Sequence, residues 1–167
     1  LKVISKFLLP ESRSFLNIEY VIWGNGKIDV SMNFKTGIKG LENFPRFGMY
    51  LVLDNAHILE YYGRGPHENY SDRNTSAFVG HYKSEVKDQY FPYIRPQENG
   101  YKTDCRWLIL GDDNQGIFFT SEVPFGFSAL NISDYQLDQI TRKNYQHTLD
   151  IKPESNTFLH LDMAQMG

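Results

Sequence analysis

Apolar and polar side chains alternate along this chain with a period of two, and that alternation leaves few folds open. Phe15, Asn17, Glu19, Val21 and Trp23 fall on one side of an extended segment; Leu16, Ile18, Tyr20 and Ile22 fall on the other. Successive side chains of a strand point to opposite faces, so the segment reads as a strand with one apolar face. Gly24-Asn25-Gly26 then turns the chain into Lys27 to Phe34, where Ile28, Val30 and Met32 alternate against Asp29, Ser31 and Asn33. Two alternating runs around a glycine-rich turn predict a hairpin. Phe47, Met49, Leu51 and Leu53 repeat the pattern, and Asp54-Asn55 turns into His57 to Tyr62. Further strands are expected over Tyr101 to Leu110, Gly116 to Glu122, Phe125 to Asn131, Thr148 to Ile151 and Thr157 to Met163. One helix is expected: Ser133-Asp134-Tyr135-Gln136 has the form of a capping box, and Leu137 and Ile140 lie three apart behind it. Aromatic residues make up 15% of the chain, a mix that favours strands over helices. The fold class expected is therefore all-β, an antiparallel β-sandwich with one short helix.

The 167 residues suit a single domain, 1–167. A net charge of −3 gives no basic footprint for nucleic acid, and no apolar run is long enough for a membrane span. Cys105 is the single cysteine, which excludes an internal disulfide and leaves the compartment, cytoplasmic or periplasmic, open.

The densest chemistry lies in Gly63-Arg64-Gly65-Pro66-His67-Glu68-Asn69-Tyr70-Ser71-Asp72-Arg73. Gly-x-Gly-Pro suits neither a helix nor a central strand, and ordering a polar loop costs conformational entropy. Such a loop needs a ligand, a partner surface or a polar network to pin it. Arg64 and Arg73 are expected to pair with Glu68 and Asp72. If that network is buried, losing Asp72 or Arg73 should lower the melting temperature by several degrees. Glu98-Asn99-Gly100 reads first as simple turn chemistry, because Asn-Gly favours positive φ, with a polar knot of Arg95 and Glu98 to the loop as the sharper alternative. Arg106 is a further candidate for the network, reaching a loop carboxylate from its strand. Trp23 and Trp107 read as core aromatics, with stacking on a sugar ring as the sharper alternative. Asp112-Asp113-Asn114 and the group Glu68, Asn69 and Asp72 lack the oxygen spacing of a calcium loop. Gly63-x-Gly65 is no nucleotide loop, because it has neither a third glycine nor a helix start behind it.

Gly65-Pro66-x-Glu68-Asn69-Tyr70-x-Asp72-Arg73 resembles a signature in the last domain of the large bacterial β-galactosidases, glycoside hydrolase family two. Two more blocks agree in the same order. The first is Pro92-Tyr93-Ile94-Arg95-Pro96-Gln97-Glu98-Asn99-Gly100 with Lys102, Asp104, Arg106 and Trp107. The second is Phe127-Ser128-Ala129-Leu130 with Ser133, Tyr135 and the closing Leu161-Asp162-Met163-Ala164-Gln165-Met166-Gly167. His67 and Ser71 vary from the commonest form, which has Gln or His at the first position and Pro at the second.

The resemblance implies a two-sheet "supersandwich", like that of galactose mutarotase, of which this chain is expected to be a part. It implies a parent enzyme that hydrolyses terminal β-D-galactosides with retention, using two glutamates of a separate barrel domain, so no catalytic residue is expected in this chain. No cofactor is expected here either, although the parent is expected to use Mg or Na ions. The implied partners are the other domains of the parent, carbohydrate, and further copies in a homo-oligomer. Arg46, His67, Glu68, Asn69 and Arg95 are the candidate carbohydrate contacts. Arg64, Asp72, Arg73, Glu98, Asn99 and Arg106 are the candidate structural network. Two alternatives remain: a carbohydrate-binding module, and a mutarotase-like aldose epimerase, for which His67 with Glu68 is the one acid–base pair the sequence offers.

Overall fold

The computed structural model describes residues 1–38, 40, 44–94, 98–143 and 148–166. Contacts divide the chain into two compact units, Leu1–Asn43 and Phe44–Gly167.

The first unit is a three-stranded antiparallel sheet of β1 (Lys2–Leu9), β2 (Ser14–Ile22) and β3 (Ile28–Lys35), with β2 in the middle. The expected hairpin is present. Trp23 N–H donates to the Lys27 carbonyl at 2.9 Å, and Gly26 takes the positive φ of 86° that the turn requires. Register sets Val3, Tyr20 and Val30 in one cross-strand row, and Phe7, Leu16 and Phe34 in another on the same face. The opposite face carries Lys6, Asn17 and Asn33. Strand β1 was not anticipated, because Lys2–Leu9 shows no clean alternation in sequence.

The second unit is a six-stranded antiparallel sheet in the order β4-β9-β8-β7-β5-β6. Its strands are β4 (Arg46–Leu53), β5 (Ile58–Gly65), β6 (Phe78–Glu85), β7 (Lys102–Gly111), β8 (Gly116–Leu130) and β9 (Thr157–Gln165). The all-β class and the antiparallel pairing are as the sequence implies. The Asp54-Asn55 turn does not close a hairpin: β4 pairs with β9, while β5 pairs with β6 and β7.

Three local expectations are corrected. The two strands expected over 116–131 are one continuous strand, β8. Pro124, which offers no N–H to a ladder, lies between the two expected strands. The chain instead stays extended and absorbs the proline in an irregular register: between the pairs Cys105↔Phe125 and Trp107↔Thr120, β7 advances two residues and β8 five. Thr148 to Ile151 is not a strand but a short 3-10 turn over Thr148–Asp150. Tyr90 Oη holds the Thr148 carbonyl at 3.1 Å, and Pro153 follows closely. Neither tryptophan lies in the core: Trp23 is half-exposed at the hairpin tip, and Trp107 sits on the sheet face away from the core.

Alternation selects one face of the six-stranded sheet for the core. Leu59 and Tyr61 of β5, Leu108 and Leu110 of β7, Phe127 and Ala129 of β8 and Leu159 of β9 are all buried there. Each large apolar side chain of this set contributes about 1.5–3 kcal/mol by leaving water. A second cluster of Ile132, Leu137 and Ile151 forms beside α1 (Asp134–Lys143). The predicted capping box is realised: Ser133 N–H donates to Gln136 Oε1 at 2.9 Å, and Gln136 N–H donates to Ser133 Oγ at 3.3 Å. The Ile140 side chain lies outside the described residues.

Candidate functional site

Strand β5 delivers the signature loop. At its end a Cβ on Gly65 would collide with the Tyr61 hydroxyl and the Tyr82 ring, so the position has room only for glycine, and a cis peptide to Pro66 follows. Asn69 then closes the loop. It is 1% exposed and every part of its amide is used. Its Nδ2 donates to the carbonyls of Arg64 and His67, both at 3.1 Å. Its Oδ1 accepts from Thr103 N–H at 3.1 Å and Thr103 Oγ1 at 2.5 Å. Asn69 thus belongs to the scaffold rather than to a surface that a sugar would reach. This corrects its place among the carbohydrate contacts.

The charged residues do not pair as expected. Arg64 reaches across the sheet to Asp104 (2.5 Å), which sits at φ 53° in the irregular stretch of β7, and also donates to the Ala77 carbonyl at 2.9 Å. Glu68 accepts from Gly100 N–H at 2.8 Å. Only Asp72 and Arg73 pair within the loop, at 3.0 Å and half-exposed. The Arg73 guanidinium also lies 4.0 Å from the centre of the Tyr70 ring. The reason is reach: the neighbouring strand brings Asp104 nearer to Arg64 than the loop's own turn brings either carboxylate. Arg106 likewise finds no loop carboxylate. It donates to the Asp104 carbonyl at 2.5 Å and lies 5.7 Å from the Tyr62 ring.

The turn over 98–100 is the knot that joins the loop to the rest of the sheet. Tyr70 Oη donates to the Glu98 carbonyl at 3.0 Å, and Tyr70 stacks on Tyr101 with centroids 5.6 Å apart. Burial pushes the Tyr70 phenol well above its ordinary range, and Glu68 adds to this. Asn99 is buried and donates to the Phe91 carbonyl at 3.1 Å. Beneath the turn lies Lys102, 1% exposed, donating to Gln89 Oε1 at 3.0 Å and the Gly100 carbonyl at 3.1 Å. Burial pulls its ammonium down to about 8, against the opposing pull of Glu68.

Arg46 ties this knot to β9. Its guanidinium approaches Glu98 Oε1 at 3.3 Å, Asp162 Oδ2 at 3.0 Å and His160 Nδ1 at 3.0 Å. An arginine only donates, so His160 accepts at Nδ1 and carries its proton on Nε2, which faces Asp134 at 3.1 Å. Asp162 is 1% exposed, and burial raises its carboxyl above the usual range while Arg46 opposes the shift. The Arg46–Asp162 approach is a charge contact without an aligned hydrogen bond. Glu98 also takes a hydrogen bond from Gln165. The sequence reading missed His160, Asp134 and Lys102 as members; the charged strand positions Lys102 in β7 and Asp162 in β9 were the available signal.

The structure therefore brings together Arg46, Glu68, Glu98, Asn69 and Asn99 around one turn. His67 stands apart and exposed, with Nε2 3.1 Å from Ser76 Oγ, so it makes no acid–base pair with Glu68. Arg95 lies outside the described residues. Among the described residues no three His, Cys, Asp or Glu side chains are placed to hold a metal ion. Asp112 Oδ1 instead receives the N–H groups of Asn114 and Gln115, as in a simple turn.

A family profile described as "Beta galactosidase small chain" matches residues 2–167. The chain belongs to the β-galactosidase small-chain family. It is 31% identical over 161 residues to a β-galactosidase of Priestia megaterium, covering 95% of this chain and 15% of the relative. It is 34% identical over 155 residues to a β-galactosidase of Streptococcus thermophilus, covering 91% and 14%. It is 33% identical over 168 residues to a β-galactosidase of Lactobacillus delbrueckii subsp. bulgaricus, covering 99% and 16%. The chain spans about 15% of the length of these relatives. In this small-chain family member, the signature loop, the turn over 98–100 and the end of β9 form one hydrogen-bonded knot.

Proposed function

We propose that the protein carrying this chain hydrolyses terminal β-D-galactosides with retention, and that residues 1–167 are part of its larger C-terminal sandwich domain. In this reading the chain lines the carbohydrate cleft and makes contacts with other domains and subunits. The observation that carries it is the family match over residues 2–167 to enzymes several times as long. Arg46, His67 and Glu68 are the side chains offered to sugar hydroxyls or to the facing domain. Asn69 and Asn99 hold the backbone that presents them.

Glu68 and Asp72 are unsuited to act as acid and nucleophile. Glu68 is held by Gly100 N–H, and Asp72 is bound to Arg73. A glycosidase pair must instead flank the scissile bond. The test compares the full-length protein with the isolated chain on a chromogenic β-galactoside. Turnover is expected from the full-length protein alone. Turnover by the isolated chain that disappears in Glu68→Gln would overturn the assignment.

A further inference from the structure

The six-stranded sheet has a second face, which the polar knot leaves unused. Register places His81, Tyr62, Trp107 and Thr120 side by side across β6, β5, β7 and β8. Two residues along, and so on the same face, lie Lys83, Glu60, Ile109 and Phe118. Trp107 is the hub. The Tyr62 ring lies 6.5 Å away and nearly parallel at 19°, and the Phe118 ring lies 6.2 Å away at 32°. Tyr62 is 39% exposed and Phe118 59% exposed, which leaves much aromatic surface in water.

The polar groups beside these rings restrict what can cover them. Glu60 receives His81 Nε2 at 2.8 Å and Lys83 Nζ at 3.6 Å, at the level of Ile109 and Phe118. A greasy protein surface or a lipid layer would bury this charged trio, with a desolvation penalty its attraction does not reliably repay. A purely polar ligand would leave the rings wet. A pyranose chain satisfies both, because its C–H faces lie against aromatic rings while its hydroxyls bond to carboxylate, imidazole and ammonium.

We propose that the Tyr62–Trp107–Phe118 face is a binding site for a β-linked oligosaccharide, with Glu60 and His81 as its hydroxyl partners. It is separate from the Arg46–Glu98 knot and does not depend on the hydrolytic reading above.

The test uses the full-length protein and thio-linked β-galacto-oligosaccharides of one to four units, which resist hydrolysis, titrated by calorimetry. Affinity is expected to rise at least tenfold from one unit to three. Trp107→Ala and Tyr62→Ala should abolish that gain, while turnover of a simple aryl galactoside is unchanged in both variants. No dependence on chain length, or wild-type affinity in Trp107→Ala, overturns the proposal. Phe118→Ser is the control for a packing role. Loss of the length-dependent gain with unchanged sedimentation and melting supports the site. Altered sedimentation with oligosaccharide affinity intact marks the face as a domain or subunit contact and overturns it.

Discussion

Asn69 and Asp72 sit three residues apart in the same loop, and their predicted importance is opposite to what formal charge suggests. Removing the Asn69 amide takes a partner from the Thr103 N–H and from the Arg64 and His67 carbonyls in a partly buried setting. An unpaired buried group costs about 1–3 kcal/mol and a partly hydrated one less, so Asn69→Ala should lower the unfolding free energy by roughly 1–3 kcal/mol. The Asp72–Arg73 pair is half-exposed, and Asp72→Ala should cost under about 1 kcal/mol. Denaturant melts of the two variants check this; equal losses would count against it. The sequence shows the charges of this loop but not their partners, and Asp104 and Gly100 become partners only once β5 and β7 are adjacent. Lys102 gives a pH signature. Its folded value of about 8 lies below the ordinary 10.5, so folding releases a proton between these limits. The stability this contributes is present above about 10.5 and lost as pH falls towards 8. The stability of wild type relative to Lys102→Met should therefore rise by up to about 3 kcal/mol from pH 8 to 10.5, following 1.36 kcal/mol per pKa unit. A flat difference across that window would show that the ammonium is not desolvated.

At the scale of elements, legibility follows locality. The β2–β3 hairpin and the capping box were readable because their signals lie within a few residues: Gly24-Asn25-Gly26 for the turn, Ser133 and Gln136 for the helix start. Ser133→Ala removes the oxygen that caps Gln136 N–H and should cost about 1 kcal/mol. A denaturation midpoint unchanged in that variant would mean that packing of Leu137 alone holds the helix. Strand β6 was not readable, since Phe78–Glu85 mixes Gly80, His81, Lys83 and Glu85 on a sheet edge where no strong pattern is demanded. The strand order was not readable either. Nothing near Asp54-Asn55 tells that the next strand pairs with β6 and β7 rather than with β4; that choice is made by the whole set of core side chains from Leu59 to Leu159. The two strands expected over 116–131 follow the same pattern: the pairing of β8 with both β7 and β9 carries one strand through Pro124.

For the whole molecule, the unresolved demand is apolar surface and sheet edge. On the first unit Val3, Phe7 and Leu9 lie two or four residues apart along β1 and so share one face, and they are 40%, 49% and 41% exposed. Among the described residues, β1 and β3 border one sheet and β4 and β6 the other, each with a single neighbour. Unpaired ladder groups are templates for association, and exposed apolar residues supply the drive. Lys2 and Lys6 lie on the other face of β1 beside the exposed Ile4 and Leu8, and blunt that edge only in part. We therefore predict that the isolated chain self-associates, and that in the full-length protein other domains or further copies cover this surface. Sedimentation of the isolated chain over a wide concentration range should show growing assemblies. Phe7→Lys should shift the onset to higher concentration, because it puts a charge on the apolar face without touching the hydrogen-bonded ladder. Monomer alone at every concentration would mean that these exposed residues are tolerated as ordinary surface, and the case for covered faces in the parent would then rest on the family match without support from the sheet.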